Sequence, residues 1–262
     1  MAIGCQTRNK QTMRITQAYI SESVGDFAWL ENYNLLSYYD SLEPCIFFGQ
    51  YRQEDWDAVS NHKGMAIIFW CGMDSKYVED FEIYKKENIY HITPHYHVYN
   101  YLKSKSLNLI KLKSGFLYDT KFTGKYGPNI FAYCPMTAPD YHRFDIIESL
   151  INMGYPIIIG DGSIPQKDWH NGIKYKYYDQ CYIGLVLNDY AGGGSTIMEL
   201  AQQGKYVISN TKLFNNCLEW NSIDDIIEIL EKYKFKKPDS IFFEFQELHP
   251  LDPKWLYLDF FK

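Results

Sequence analysis

The stretch from residue 191 to residue 209 reads AGGGSTIMELAQQGKYVIS and has the pattern of a glycine-rich loop, a helix and a strand. Its three glycines lead to Ser195, a favourable helix N-cap, and the apolar residues that follow keep helical spacing until Gly204 ends the helix. The apolar run at 206–209 then predicts a buried strand. This succession predicts a parallel sheet with helices packed on it.

The same alternation of short apolar runs and longer amphipathic runs extends along the chain in both directions. Strands are predicted at 14–19, 45–50, 65–70, 89–92, 107–111, 130–134, 156–160, 182–187 and 206–209. Helices are predicted at 26–39, 54–61, 75–86, 94–105, 141–153, 195–203 and 223–233. The chain is therefore predicted to be an α/β protein built from Rossmann-like parallel sheets.

Glycine and proline cluster between residues 113 and 128, which favours a linker at this point. We therefore predict an N-terminal domain over 13–117 and a C-terminal domain over 118–237. The remaining segment, 238–262, is rich in aromatic residues, and we expect it to pack back on the body of the protein.

Composition restricts the class of protein. The 262 residues carry a formal charge of −6, and neither half has an excess of basic residues, which argues against an extended nucleic-acid surface. The first twelve residues lack the apolar core of a signal peptide, and no apolar stretch is long enough to span a bilayer. Six scattered cysteines without a CxxC pair favour a reducing compartment, so we expect a cytoplasmic protein.

The loop before Ser195 has the features of an anion site. Gly193 and Gly194 permit a close approach of the backbone, and the first N–H groups of the following helix have no partner within the helix. These groups lie at the positive end of the helix dipole and suit a diphosphate. Glu199, one turn further along, carries a carboxylate that can accept ribose hydroxyls. The alternative interpretation is a glycine turn that only caps a helix.

The complete string resembles the donor-binding motif of glycosyltransferases with the two-domain GT-B fold. The matching positions are Gly194, Ser195, Thr196, Glu199, Ala201, Gly204, Val207 and Ile208. The resemblance implies two Rossmann-like domains that face a cleft. It also implies that Glu199 binds the ribose of a nucleotide sugar, with a UDP-sugar expected, and that the backbone at 194–196 binds the diphosphate.

The resemblance departs from the retaining members of the family at one position. These enzymes have a second glutamate eight residues before the first, where this chain has Ala191. The pattern is closer to that of inverting enzymes, and both stereochemical outcomes stay open. No metal and no other cofactor are expected: the acidic residues at 54–57 have the position of a first helical turn, which the helix dipole favours.

Further donor-site candidates follow from the order of segments in the family. Arg143, or the neighbouring His142, occupies the place where the family has a basic residue that contacts the donor phosphates. Gly162 lies in a glycine turn after the strand at 156–160. The run at 174–179 corresponds to a segment in which the family often has an aromatic residue near the base. The alternative for Arg143 is an exposed charge at a helix start.

Catalytic candidates come from the first half. Asp74 follows a strand that resembles the W-x-G-x-D strand end of GT-B enzymes, and the carboxyl ends of parallel strands are where ligands bind. We therefore assign Asp74 as the general base, with His95 of the HITPHYH segment as the second candidate. The alternatives are that Asp74 caps the next helix and that these histidines are structural.

The leading hypothesis is a metal-independent glycosyltransferase with a nucleoside-diphosphate sugar as donor and an unidentified hydroxyl acceptor. The acceptor classes are a surface glycan, a lipid-linked sugar, a small molecule, and a hydroxylated base in viral DNA, for which the charge gives no indication. For a viral protein the expected location is the host cytoplasm. Two alternatives stay open: a non-catalytic protein that binds a nucleotide or sugar nucleotide, and a Rossmann-type enzyme with another nucleotide ligand. Among the enzymes of the second class, a dehydrogenase is disfavoured because no GxGxxG motif follows the first predicted strand.

Overall fold

The chain folds as an α/β protein with two sheets, as the alternation of its apolar runs predicts. The computed structural model describes residues 14–24, 33–107, 110–112, 121–165, 168–188, 194–210, 214–234, 236, 240–242 and 254–256. Every pairing between the described strands is parallel. The predicted class, an α/β protein of parallel sheets, is confirmed.

The first sheet has six strands in the order β2-β1-β3-β4-β5-β6. They are β1 (Gln17–Ile20), β2 (Leu36–Ser37), β3 (Cys45–Phe48), β4 (Ala66–Phe69), β5 (Ile89–Thr93) and β6 (Ile110–Leu112). Strands β3 and β4 are buried at every position, as expected when both faces of a sheet are covered. Their alternate side chains enter two separate core clusters, and one of these also takes residues of helices α1 (Gln53–Asn61) and α2 (Tyr96–Ser104).

The second sheet has five strands in the order β11-β10-β9-β7-β8. They are β7 (Asn129–Tyr133), β8 (Ile157–Gly160), β9 (Cys181–Leu185), β10 (Tyr206–Ile208) and β11 (Cys217–Leu218). Helices α3 (Phe144–Asn152) and α6 (Ile223–Tyr233) belong to one core cluster, and α4 (Lys174–Tyr178) and α5 (Ser195–Gln202) belong to the other. Among the described residues, no helix is long and apolar enough to cross a membrane.

Two described pieces of the segment 238–262 contact different halves of the molecule. The backbone N–H of Phe242 donates to the carbonyl of Ala201 in the second half, at 3.0 Å. Leu256 is fully buried in a core cluster of the first sheet, where its carbonyl accepts a hydrogen bond of 2.7 Å from the N–H of Ile15. The end of the chain therefore contacts both halves. The predicted boundary at 117/118 falls outside the described residues and stays a prediction.

Two predicted helices of the first half are wrong over the residues that the structure describes. In the segment 26–39, Asn34 has a left-handed backbone and Leu36–Ser37 forms edge strand β2, because Thr16 and Ala18 supply carbonyl acceptors to this part of the chain. The segment 75–86 contains two short 3₁₀ turns, at Met73–Lys76 and Glu82–Lys85. Its apolar residues at 78, 81 and 84 are nevertheless buried in one core cluster, although only Tyr84 lies within a 3₁₀ turn.

Candidate functional site

A cavity of about 440 Å³ lies at the carboxyl edge of the second sheet. Tyr133 and Gly160, the last residues of β7 and β8, line it. Met73, which follows β4 of the first sheet, lines it as well, so the cavity lies between the two halves of the molecule. Parallel sheets commonly bind ligands at this edge, and the position therefore suits a ligand shared by both halves.

The start of helix α5 forms one wall of this cavity. Gly194 is the N-cap, and Ser195 and Thr196, the first two residues of the helix, line the cavity. The N–H groups of a first helical turn lack partners within the helix and carry partial positive charge. The geometry is suited to a negatively charged group. Gly193 and the rest of the loop at 189–193 lie outside the described residues.

A glycine turn after β8 forms another part of the cavity wall. Gly162 lines the cavity with a φ of 77°, a backbone conformation that side chains disfavour. A Cβ atom at this position would also come within 3.2 Å of Pro135, another residue of the wall. The chain therefore requires glycine here to bring the turn close to the cavity. The structure places Gly162, Ser195 and Thr196 around one cavity.

Glu199 lies one turn into α5, behind the cavity wall, and is fully buried. Its Oε1 accepts a hydrogen bond of 3.1 Å from Nζ of Lys174, which is also fully buried, and its Oε2 accepts one of 2.7 Å from the Tyr178 hydroxyl. The Tyr178 oxygen in turn is hydrogen-bonded to the side chain of Thr196. Through Tyr178 the carboxylate is connected to a residue of the cavity wall.

Arg143 and His142 have different environments although they are neighbours. Arg143 is the N-cap of α3 with a left-handed φ of 56°, and its guanidinium makes two hydrogen bonds of 3.0 Å to Asp145 and lies over the Trp220 ring. It is not among the residues that line the cavity. His142 lines the cavity and is only 7% exposed.

Aromatic side chains supply much of the remaining wall. Tyr133, Tyr141, Trp169 and Tyr177 all line the cavity. Trp169 stacks on Phe131 of β7 with ring centroids 6.0 Å apart, and Tyr177 packs against Trp169 at 5.2 Å. The sequence indicated an aromatic residue in 174–179, which includes Tyr177. The sequence did not indicate Trp169, which lies at the start of a short π-helical turn, Trp169–Ile173.

Asp74 is fully buried at the turn after β4, beside the cavity residue Met73. Its carboxylate accepts hydrogen bonds from the backbone N–H groups of Cys71, Gly72 and Ser75 at 3.0, 2.9 and 3.1 Å. Burial raises the pKa of this carboxyl group to about 6, although the backbone donors oppose the shift. Asp74 thus organises the turn, which is a 3₁₀ segment with Gly72 as its N-cap, and its elevated pKa is also a property of catalytic carboxyl groups.

Two histidines of the HITPHYH segment have structural contacts. His95 is the N-cap of α2, and its Nε2 lies 2.9 Å from the carbonyl oxygen of Cys71, so it holds the turn that contains Asp74. His91 is fully buried: its Nδ1 accepts from the Trp70 indole at 3.1 Å, and its Nε2 lies 3.0 Å from the Tyr84 carbonyl oxygen. Asp74 and His95 therefore meet at the same turn, next to the cavity.

Within the described residues, no group of three or more histidine, cysteine, aspartate or glutamate side chains is arranged to hold a metal ion. Comparisons with known proteins yielded no assignment: no family model matches the chain, and a search of curated proteins found no significant relative. The residues of the cavity are therefore the main indication of what the protein binds.

Proposed function

We propose that this chain is a glycosyltransferase of the two-domain GT-B type, which transfers a sugar from a nucleoside-diphosphate sugar to a hydroxyl acceptor. The main support is that the first residues of α5, Ser195 and Thr196, open onto a cavity that also reaches Met73 of the first half. A helix N-terminus is a favourable site for a diphosphate. The contact with the first half gives access to an acceptor held there.

The size and walls of the cavity are consistent with a nucleotide sugar. A volume of about 440 Å³ lies in the range of small-molecule sites. The rings of Trp169 and Tyr177 offer an apolar face for a base, and the start of α5 offers backbone N–H groups for phosphates. We expect a UDP-sugar as the donor and activity in the presence of a chelator, because the helix dipole would stabilise the diphosphate.

A non-catalytic binding protein is the second candidate, and the environment of the carboxylates favours it. Asp74 is engaged by backbone N–H groups, and Glu199 is engaged by Lys174 and Tyr178. Neither of them lines the cavity. A chain that binds a nucleotide sugar but neither transfers nor hydrolyses its sugar would belong to this class.

Titration calorimetry with a panel of nucleoside diphosphates and their sugars tests the proposal, with UDP and UDP-glucose first. Gly194→Val should weaken UDP binding about tenfold or more, because a branched side chain blocks the approach of phosphate to the helix start. Its φ of −63° and ψ of 147° suit valine, so the fold should persist. Ser222→Val, at the N-cap of α6, is the matched control and should leave UDP affinity unchanged. Failure of every nucleotide to bind the wild-type protein would refute the proposal.

A further inference from the structure

His142 is a cavity residue with a buried ring nitrogen, Nδ1, that has no hydrogen-bond partner in the part of the chain that the structure describes. Its side chain lines the cavity and is more than nine-tenths buried. Among the described residues, no group forms a hydrogen bond with its buried Nδ1. A buried polar atom without a partner is costly, and most such atoms in folded proteins are satisfied. Because the His142 side chain lines the cavity, a ligand bound there is the candidate partner for its imidazole ring.

The surroundings of His142 favour a neutral imidazole. The ring lies edge to face with the rings of Tyr133 and Tyr141, at centroid distances of 5.3 and 4.9 Å. Burial in this environment lowers the pKa of His142 to about 4. A neutral imidazole has one donor and one acceptor nitrogen, and this combination matches a hydroxyl group better than a phosphate.

His142 lies on the side of the cavity that faces the first half, as its neighbour Tyr141 indicates. Its neighbour Tyr141 interacts electrostatically with Tyr51, which follows β3 of the first sheet. The pKa of Tyr51 is raised mainly by burial, with smaller contributions from nearby groups that include Asp74 and Tyr141. Trp169 and Tyr177 belong to the second half alone. In a transferase, the group that is transferred must lie where the two halves meet.

We propose that His142 is a specificity-determining residue that hydrogen-bonds a hydroxyl group of the sugar of the bound nucleotide sugar. This inference rests on the proposed function, and it assigns His142 to the sugar instead of to the phosphates. Binding energy from His142 is then present for the nucleotide sugar and absent for the nucleoside diphosphate. The distinction can be measured directly.

The test compares UDP with UDP-glucose in calorimetric titrations of the wild-type protein, His142→Phe and His142→Asn. Phenylalanine retains a ring for contact with the two tyrosines, and asparagine retains a neutral donor and acceptor. His142→Phe should weaken UDP-glucose binding about tenfold and change UDP binding less than about twofold. His142→Asn should recover most of the affinity for UDP-glucose.

Equal weakening for UDP and UDP-glucose in His142→Phe would overturn the inference and assign His142 to the nucleotide. Unchanged affinity for both would overturn it as well. If the wild-type protein binds neither these compounds nor the guanosine and adenosine counterparts, the proposed function itself fails. If His142→Phe does not fold, the imidazole ¹⁵N resonances of His142 in the wild-type protein give the answer: they should shift with UDP-glucose and not with UDP.

Discussion

The two sheets each bury a carboxylate near the cavity, and they stabilise it in different ways. In the first half, the carboxylate of Asp74 is surrounded by backbone N–H groups of its own turn. In the second half, the carboxylate of Glu199 is bound by two side chains of α4, Lys174 and Tyr178. The first arrangement is local in sequence, and the second joins two helices.

The difference has consequences for charge. Backbone N–H groups are dipoles, and they only partly offset the desolvation of Asp74, whose pKa is raised to about 6. Glu199 faces the ammonium group of Lys174 at 3.1 Å, with both side chains fully buried. Loss of Lys174 would leave the buried Glu199 carboxylate without the ammonium group of this ion pair, and such a loss is strongly destabilising. The fold at the Asp74 turn is therefore compatible with both the charged and the protonated carboxyl group. The stability of the region around Glu199 instead requires both members of the ion pair.

The largest effect is expected when the ion pair is broken from one side. Lys174→Met should reduce the free energy of unfolding by about 3–5 kcal/mol, because Glu199 would remain buried without its cation. Chemical denaturation followed by fluorescence would measure this loss. The double variant Lys174→Met with Glu199→Gln should recover most of the stability, since glutamine can still accept a hydrogen bond from Tyr178.

An exposed ion pair is the matched control. Lys125 lies 3.4 Å from Asp179, and its side chain is 70% exposed. Lys125→Met should therefore cost less than about 1 kcal/mol. A Lys174→Met variant that is no less stable than Lys125→Met would show that Glu199 is neutral or reached by solvent, and the contrast between the two carboxylates would disappear.

A smaller loss is expected from Asp74→Asn. The Asp74 Oδ2 atom accepts from Cys71, and its Oδ1 atom accepts from Gly72 and Ser75. The amide of asparagine replaces one of these oxygens with a donor, so at least one backbone N–H group loses its acceptor. We expect a loss of about 1–3 kcal/mol in the free energy of unfolding. Thermal unfolding of both proteins would measure it.

The same variant separates the two interpretations of Asp74. A variant that is destabilised but retains most of its kcat for sugar transfer supports the structural role in the turn. A variant of normal stability whose kcat falls about 10²- to 10⁴-fold would support Asp74 as the general base. His95, which holds the same turn through Cys71, is the next candidate if the structural role is correct.

The sheets were predictable because a strand buried on both faces is a short, continuous apolar run. Strands β3, β4 and β9 are such runs, and each was expected within a few residues of its observed bounds. The short edge strand β2 lacks this signal: both of its residues are exposed, and it is held by hydrogen bonds to β1. The structure of β2 depends on the carbonyl acceptors of Thr16 and Ala18, which are about 20 residues away in the sequence. The local sequence therefore does not predict it.

The cavity was partly predictable, because some of its residues belong to local sequence patterns. Ser195, Thr196 and Gly162 are defined by local patterns, a helix start and a glycine turn, and all three line the cavity. The partner of Glu199 was not foreseen, because Lys174 is 25 positions away and on another helix. The assignment of Glu199 to ribose and of Arg143 to phosphate stays a prediction. The spacing of residues along the chain suggested both roles, but it does not determine which side chains these residues contact in the folded protein.

The smallest effect concerns the pH dependence of stability, and it isolates Asp74. The folded-state pKa of Asp74 is raised from 3.8 to about 6, so the folded protein binds this proton more tightly than the unfolded chain. Asp74 therefore contributes a gain in stability of about 0.8 kcal/mol when the pH falls from 7.5 to 5.5. Buried His91 and His142, whose pKa values are lowered to about 4, act in the opposite direction. These histidines are present in both wild type and Asp74→Asn, so their contribution cancels in the difference between the two proteins.

Asp74→Asn should then lose that much more stability than the wild type over this interval, as determined by denaturation at each pH. Asp225, an exposed carboxylate that also accepts backbone N–H bonds, has a lowered pKa, and Asp225→Asn should show no such difference in this window. Parallel pH profiles for wild type and Asp74→Asn would mean that the backbone donors fully offset the desolvation of Asp74 and that its pKa is not raised by burial.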